Sequence, residues 1–212
     1  MLDPSLLGFV LHSLPRAPVR VLEVGAGDGA LAQALVAAGY QVVAIDPASD
    51  ACNVRAVPLH ELSEPLGSFD AAVAVLSMHH VEPLPESCRR LAEVVRPGGT
   101  LVLDEFDVER FDAQAARWWL DQHEPSSEGA PRPEALVEDL RHHCHSFGDL
   151  LAGLEESFEL NQPIRGPYLY RWELSLAMRD VEERLIAAGR LPETGVRIVG
   201  TRKEEPMKSG GA

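Results

Sequence analysis

The stretch EVGAGDGALA, residues 23–32, closes a short apolar run and opens a helical pattern. Gly25, Gly27 and Gly29 permit a sharp turn and a close approach of backbone to a ligand. With Ala30 in the last place, the stretch satisfies the dinucleotide pattern G-x-G-x-x-G/A. Such a loop between strand and helix receives a nucleoside-bearing cofactor. Its neighbours decide whether that cofactor carries a pyrophosphate.

Outward from the loop, short strands alternate with helices. Residues 3–14 read as a helix with Asp3 as N-cap and Pro4 in first position, ended by Pro15 and Pro18. VRVLEV (19–24) is a strand, residues 31–38 a helix closed by Gly39, and QVVAI (41–45) a second strand ending at Asp46-Pro47. Residues 53–57 form a weaker third strand stopped by Pro58. FDAAVAVL (69–76) is a fourth, apolar enough to be buried on both faces. A helix over 85–95 ends at the turn Pro97-Gly98-Gly99 and leads into a fifth strand, TLVL (100–103). Alternation of this kind predicts a parallel sheet covered by helices. Helices are predicted over 111–122, 133–143 and 168–188, and strands over 158–164 and 196–201. No linker divides the chain, so residues 1–202 read as one domain. Within it, 107–156 read as an inserted helical cap, and 203–212 as a disordered tail.

The chain has 212 residues, with 33 acidic against 19 basic, a formal charge of −14. That field repels a phosphate backbone, so nucleic acid is not expected as a partner. The N-terminal residues lack a basic region and a long apolar run, which argues against a signal peptide or a membrane partner. Cys52, Cys88 and Cys144 show no C-x-x-C spacing and suit reduced thiols in the cytoplasm. Nothing in the pattern selects an oligomeric state.

Asp46, at the end of the second strand, can accept hydrogen bonds from both ribose hydroxyls of an adenosine. This serves NAD and S-adenosylmethionine equally. Asp28 discriminates between them. A helix N-terminus favours an anion by about 0.3–2 kcal/mol. A carboxylate about 6 Å from a phosphate charge opposes it by about 3 kcal/mol at an effective dielectric near 20. Even as a simple helix cap, Asp28 would occupy the N–H groups a pyrophosphate needs. Glu23 adds negative charge. The acids favour a cofactor with a sulfonium and an ammonium group and no phosphate.

Four blocks in order, VLEVGAGDG (21–29), VVAIDP (42–47), FDAAVAVLSMHHVEP (69–83) and LAEVVRPGGTLVLDEF (91–106), resemble the class I S-adenosylmethionine-dependent methyltransferases, especially their broad small-molecule group. The resemblance implies a Rossmann-like α/β fold with a seven-stranded, mostly parallel sheet, helices on both faces and an antiparallel last strand at VRIVGT. It implies S-adenosyl-L-methionine as cofactor and a small-molecule acceptor. Glu23, Gly25, Ala26 and Gly27 would surround the methionine part, and Asp46 and Pro47 the ribose. Leu59 and His60 would lie beside the adenine, and Leu76 and Ser77 near the methyl group. The block VRAVPLHEL (54–62) departs from the usual acid-plus-small-residue pattern. Competing readings are a NAD-dependent oxidoreductase and a non-catalytic adenosyl-cofactor-binding module.

Methyl transfer needs orientation above all, and a base only where the acceptor must lose a proton. His79 and His80 follow the fourth strand, at the sheet edge where such folds bind ligands, and are the candidate catalytic residues. Asp104 and Glu105 close the fifth strand and are a second candidate pair, with strand-end solvation or a helix cap as the preferred reading. RHHCH (141–145) places His142 and His145 three apart, with His123 or Asp104 as distant complements; no metal site is expected from it. Trp118, Trp119, Tyr168, Tyr170 and Trp172 either wall an acceptor pocket or anchor the cap.

Overall fold

A computed structural model describes residues 2–123 and 131–204. β1 (Arg20–Val24), β2 (Gln41–Ile45), β3 (Phe69–Val75), β4 (Val95–Phe106), β5 (Phe158–Leu160), β6 (Ile164–Gly166) and β7 (Gly195–Arg202) form one sheet in the order β2-β1-β3-β4-β7-β5, with β6 also on β7. The first four are mutually parallel. β7 runs antiparallel to β4, and β5 and β6 antiparallel to β7. Every strand except β7 therefore points the same way.

Helices cover both faces. α1 (Pro4–Ser13) and α2 (Ala30–Ala37) bury Leu6, Val10, Leu31 and Leu35 against Val21, Val73 and Val102. Asp3 caps α1 as expected, accepting from Ser5 N–H. α3 (Leu84–Val94) and α6 (Phe147–Glu155) bury Leu91, Leu150 and Leu154 on the other face against Leu22, Leu101 and Leu103. Alternate residues of β4 thus feed opposite layers, as the period of two requires. α4 (Ala113–Leu120) and α5 (Pro133–His143) belong to a separate cluster around Phe111, Trp119 and Tyr168. α6, inside the 107–156 segment, packs with the sheet instead. α7 (Arg179–Ala187) precedes β7.

The seven strands arise by a different partition from the expected one. Residues 53–57 form no strand; a single bridge joins Arg55 to Ile45. Asn53 is diverted to donate to Gly29 O, and the Arg55 guanidinium to Glu64. The 158–164 strand is split by Asn161-Gln162-Pro163 into β5 and β6, since proline offers no N–H to a ladder. Pro97-Gly98-Gly99 does not precede the strand but bulges within it. Phe69 pairs with Val95 and Ala71 with Thr100, so the intervening residues are looped out.

The helix expected over 168–188 is also broken. Tyr168, Leu169 and Tyr170 donate their N–H groups to the buried Glu182 carboxylate, which closes a 3₁₀ turn there. Burial raises the Glu182 pKa despite these three donors. A regular helix begins only at Arg179. Residues 124–130, and the 205–212 part of the expected tail, lie outside the described residues.

Candidate functional site

The glycine loop is fixed by backbone before any ligand is considered. Gly25 and Ala26 donate N–H groups to Ile45 O, so the loop closes over the end of β2. Gly25, Gly27 and Gly29 all have positive φ, the region open to glycine. At Gly25 a second reason applies: a Cβ there would lie 2.1 Å from Ser77 Cβ. Ser77 holds that place by donating its hydroxyl to Val24 O at 2.8 Å. Gly25 therefore lets the ends of β1 and β3 meet. Gly27, by contrast, faces open space.

Asp46 is built into the same loop. One carboxylate oxygen accepts from Gly27 N–H and the other from Ala48 N–H, each at 2.9 Å. Each oxygen keeps a lone pair, so the group is oriented and still able to accept from a ribose. Asp28 accepts from Ala30 N–H at 3.0 Å, which removes one donor from the helix N-terminus.

A cavity of about 280 Å3 opens beside this loop. Among the sequence-expected residues, Gly25, Asp46, Pro47, Leu59, Leu76, Ser77 and His80 line it, with Ile45, Val57, Pro58 and Val81 as further apolar wall. Gly27 and Asp28 line an adjoining hollow that shares Asp46 and Ala48. Glu23, Ala26, His60 and His79 lie outside the wall. Leu76 has φ +53, a strained conformation for a side chain of this size, at the point where β3 ends over the cavity. His60 turns inward, its Nδ1 buried without a hydrogen-bond partner among the described residues.

Glu23 is 3 % exposed, and its Oε2 has no partner among the described residues. Burial, aided by the Asp28 charge, raises its pKa to about 8, so the group is largely protonated at neutral pH. A buried carboxyl with an unpartnered oxygen beside the loop can ionise against a ligand that brings positive charge. The donor set fits S-adenosylmethionine: apolar walls for a base, an oriented carboxylate for a ribose and a buried acid for a cationic tail.

The two histidines are placed differently. His79 is buried, with Nδ1 2.6 Å from Glu105 Oε2. Glu105 also accepts from Ser77 and Met78 N–H groups, at 3.2 and 2.9 Å. His80 is exposed along one edge, lines the cavity and packs its ring 4.2 Å from that of His79. Partial desolvation and the neighbouring His79 lower its pKa, which keeps it neutral and able to accept a proton.

The acid pair expected to be solvated is buried instead. Asp104 receives Arg171 and Arg197 at 2.5 and 2.6 Å on one face of β4, and Glu105 organises the His79 turn on the other. Glu105, named in the sequence as half of a second candidate pair at the fifth strand's end, is neither solvated nor a helix cap but the acceptor that fixes His79. The aromatic residues of the second half mostly anchor one another. Trp119 stacks on Trp172 at 4.1 Å and donates its Nε1–H to Trp172 O, and Phe106 stacks on Tyr168 at 4.5 Å.

Comparison with known proteins gives the family and the fold. The sequence profile described as "Methyltransferase domain" matches residues 5–148. A ubiquinone biosynthesis O-methyltransferase of Xanthomonas axonopodis pv. citri is 34 % identical over 119 residues, covering 48 % of this chain and 49 % of that protein. The chain thus spans about half the length of the curated relatives it matches. Two solved structures share the fold. A putative methyltransferase from an antibiotic biosynthesis pathway of Anabaena variabilis has TM-score 0.63 at 18 % identity, covering 94 % of this chain and 97 % of its own. The geranyl diphosphate C-methyltransferase of Streptomyces coelicolor, solved with S-adenosyl-L-homocysteine, has TM-score 0.64 at 13 % identity, covering 95 % and 76 %. With the profile covering more than half its length, the chain belongs to the methyltransferase domain family, with the class I fold of the S-adenosylmethionine-dependent enzymes.

Proposed function

We propose that this chain transfers a methyl group from S-adenosylmethionine to a small-molecule acceptor. The observation that carries the reading is an Asp46 oriented by the glycine loop together with a buried Glu23, two residues before that loop, whose Oε2 has no partner among the described residues. In this reading Ile45, Val57 and Leu59 flank the adenine, and Asp46 holds the ribose. Glu23 and the backbone of Gly25 to Gly27 receive the methionine tail. When bound, the cofactor supplies a methyl group on positively charged sulfur, already activated for displacement.

The rest falls to the chain's own residues. His80 takes the proton that leaves the acceptor heteroatom. His79 acts as a positioning residue, its ring fixed by Glu105 and its face set against His80. Leu76 and Ser77 limit how the acceptor approaches. We assign residues 107–156, through α4 and α5, to covering the acceptor within a single domain spanning 1–202. The charge of −14 supports a small molecule over nucleic acid. The O-methyltransferase name of the curated relatives makes a hydroxyl the first acceptor class to try. Among the described residues no helix is long and apolar enough to cross a membrane. The free thiols of Cys52, Cys88 and Cys144 favour the cytoplasm as the setting.

Methyl-labelled S-adenosylmethionine tests this. Incubated with the chain and a phenolic and amine metabolite panel, it should deliver label to a small molecule and leave S-adenosylhomocysteine. Label appearing in RNA or protein instead would overturn the acceptor class.

A further inference from the structure

Beside the cofactor cavity lies a group of donors that methyl transfer does not require together. One ligand atom each from His79, His80 and Cys144 lies within 4.8 Å of the others, and His80 Nδ1 is 3.9 Å from Cys144 Sγ. The histidines sit on the turn after β3, and Cys144 directly follows α5, 64 residues away from His80 in sequence. His145 joins the two segments: its N–H donates to His79 O at 2.8 Å and its ring Nε2 lies 3.0 Å from Val81 O. The cysteine is thereby held against the histidine turn by bonds other than its own, with its sulfur turned to His80 Nδ1.

We propose that His79, His80 and Cys144 bind a zinc-class divalent ion at the edge of the cofactor cavity. Two imidazoles and a thiolate are a donor set for zinc and its soft neighbours, not for magnesium or calcium. Zinc–nitrogen and zinc–sulfur bonds of about 2.0–2.3 Å put tetrahedral donors roughly 3.3–3.8 Å apart, so His80 and Cys144 are already near that spacing and the widest pair must close by on the order of 1 Å. The Glu105 carboxylate is bonded to His79 Nδ1 at 2.6 Å, which leaves the lone pair on Nε2. A carboxylate behind a ligating histidine is the usual outer support of such a site.

Access is available as well. Cys144 lines an open cleft with Glu109, Arg141, His145 and Asp149, while His80 lines the cofactor cavity. Binding exchanges the Cys144 thiol proton, released to solvent, for a metal–sulfur bond. Three protein donors leave a fourth position for water or an acceptor heteroatom. A bound ion occupies the His80 lone pair, so His80 accepts a proton only in the metal-free chain. The RHHCH stretch therefore contributes to the site through its cysteine, and the partners come from the histidine pair after β3.

The full chain, stripped with chelator, should bind one Co2+ with sulfur-to-metal charge-transfer absorption, and Zn2+ should displace it. Cys144→Ser should abolish that absorption and lower Zn2+ affinity at least ~10-fold. His80→Gln, at an exposed position that leaves folding intact by circular dichroism, should keep the absorption and also weaken Zn2+ at least ~10-fold. Cys52→Ser should change neither. The proposal is overturned by absence of one-to-one Co2+ binding, by charge-transfer absorption that survives Cys144→Ser or disappears in Cys52→Ser, or by unchanged affinity in His80→Gln.

Discussion

Two buried glutamates close two strands of the same sheet, and their surroundings are opposite. Glu105, at the end of β4, accepts from His79 and from two backbone N–H groups. Glu23, at the end of β1, is 3 % exposed and leaves one oxygen without a partner among the described residues. A fully bonded carboxylate is scaffold, because its charge is already answered within the fold. An unanswered one is held for something the fold does not contain. The contrast separates what builds the site from what receives the ligand.

The contrast is most easily broken at Glu105. Glu105→Ala strands His79 Nδ1 and the Ser77 and Met78 N–H groups in the interior, and should cost about 3–5 kcal/mol in urea unfolding. A cost below about 1 kcal/mol would show that the bonds there are not structural. Gly25→Ala comes next. Its Cβ would meet Ser77, and its φ is +69, so about 2–3 kcal/mol of stability should be lost. Adding Ser77→Gly should restore part of that loss, which a purely conformational penalty would not allow.

Asp46→Ala should act on binding more than on folding. Loss of charge-assisted hydrogen bonds worth about 1.5–3 kcal/mol predicts roughly tenfold to hundredfold weaker S-adenosylmethionine binding. An unchanged dissociation constant would remove Asp46 from the ribose. Glu23→Gln should be the mildest where both side chains are neutral in the folded and unfolded chain, within about 1 kcal/mol below pH 4.5. Its signature is pH dependence. The Glu23 pKa is raised from 4.5 to about 8, so its stabilising contribution is present below 4.5 and lost as pH rises through about 8. The glutamine variant should lack that decline between pH 4.5 and 8, measured by thermal unfolding across the range.

These features were unequally legible in the sequence. The glycine loop, β1, β2 and α5 follow from local pattern, because turn glycines, β-branched runs and helical spacing act within a few residues. The parts that escaped depend on contacts between distant segments. Asp104 and Glu105 look like a solvated strand end until Arg171, Arg197 and His79 are brought to them. The unbroken helix over 168–188 fails because the Glu182 side chain takes N–H groups 12 to 14 residues earlier. Cys144 reads in sequence as one of three reduced thiols, and its place beside His80 comes only from the fold. Glu23 reads as a negative charge in the sequence; that it is neutral when free depends on burial, which a linear pattern does not carry.

The most direct test is calorimetry of S-adenosylmethionine binding at pH 7 in buffers of different ionisation enthalpy. A largely protonated Glu23 that meets a cationic cofactor must give up its proton. The account predicts binding with release of nearly one proton, about 0.9 for a pKa near 8, and loss of that release in Glu23→Gln. Binding without proton release, or NAD binding in place of S-adenosylmethionine, would contradict it.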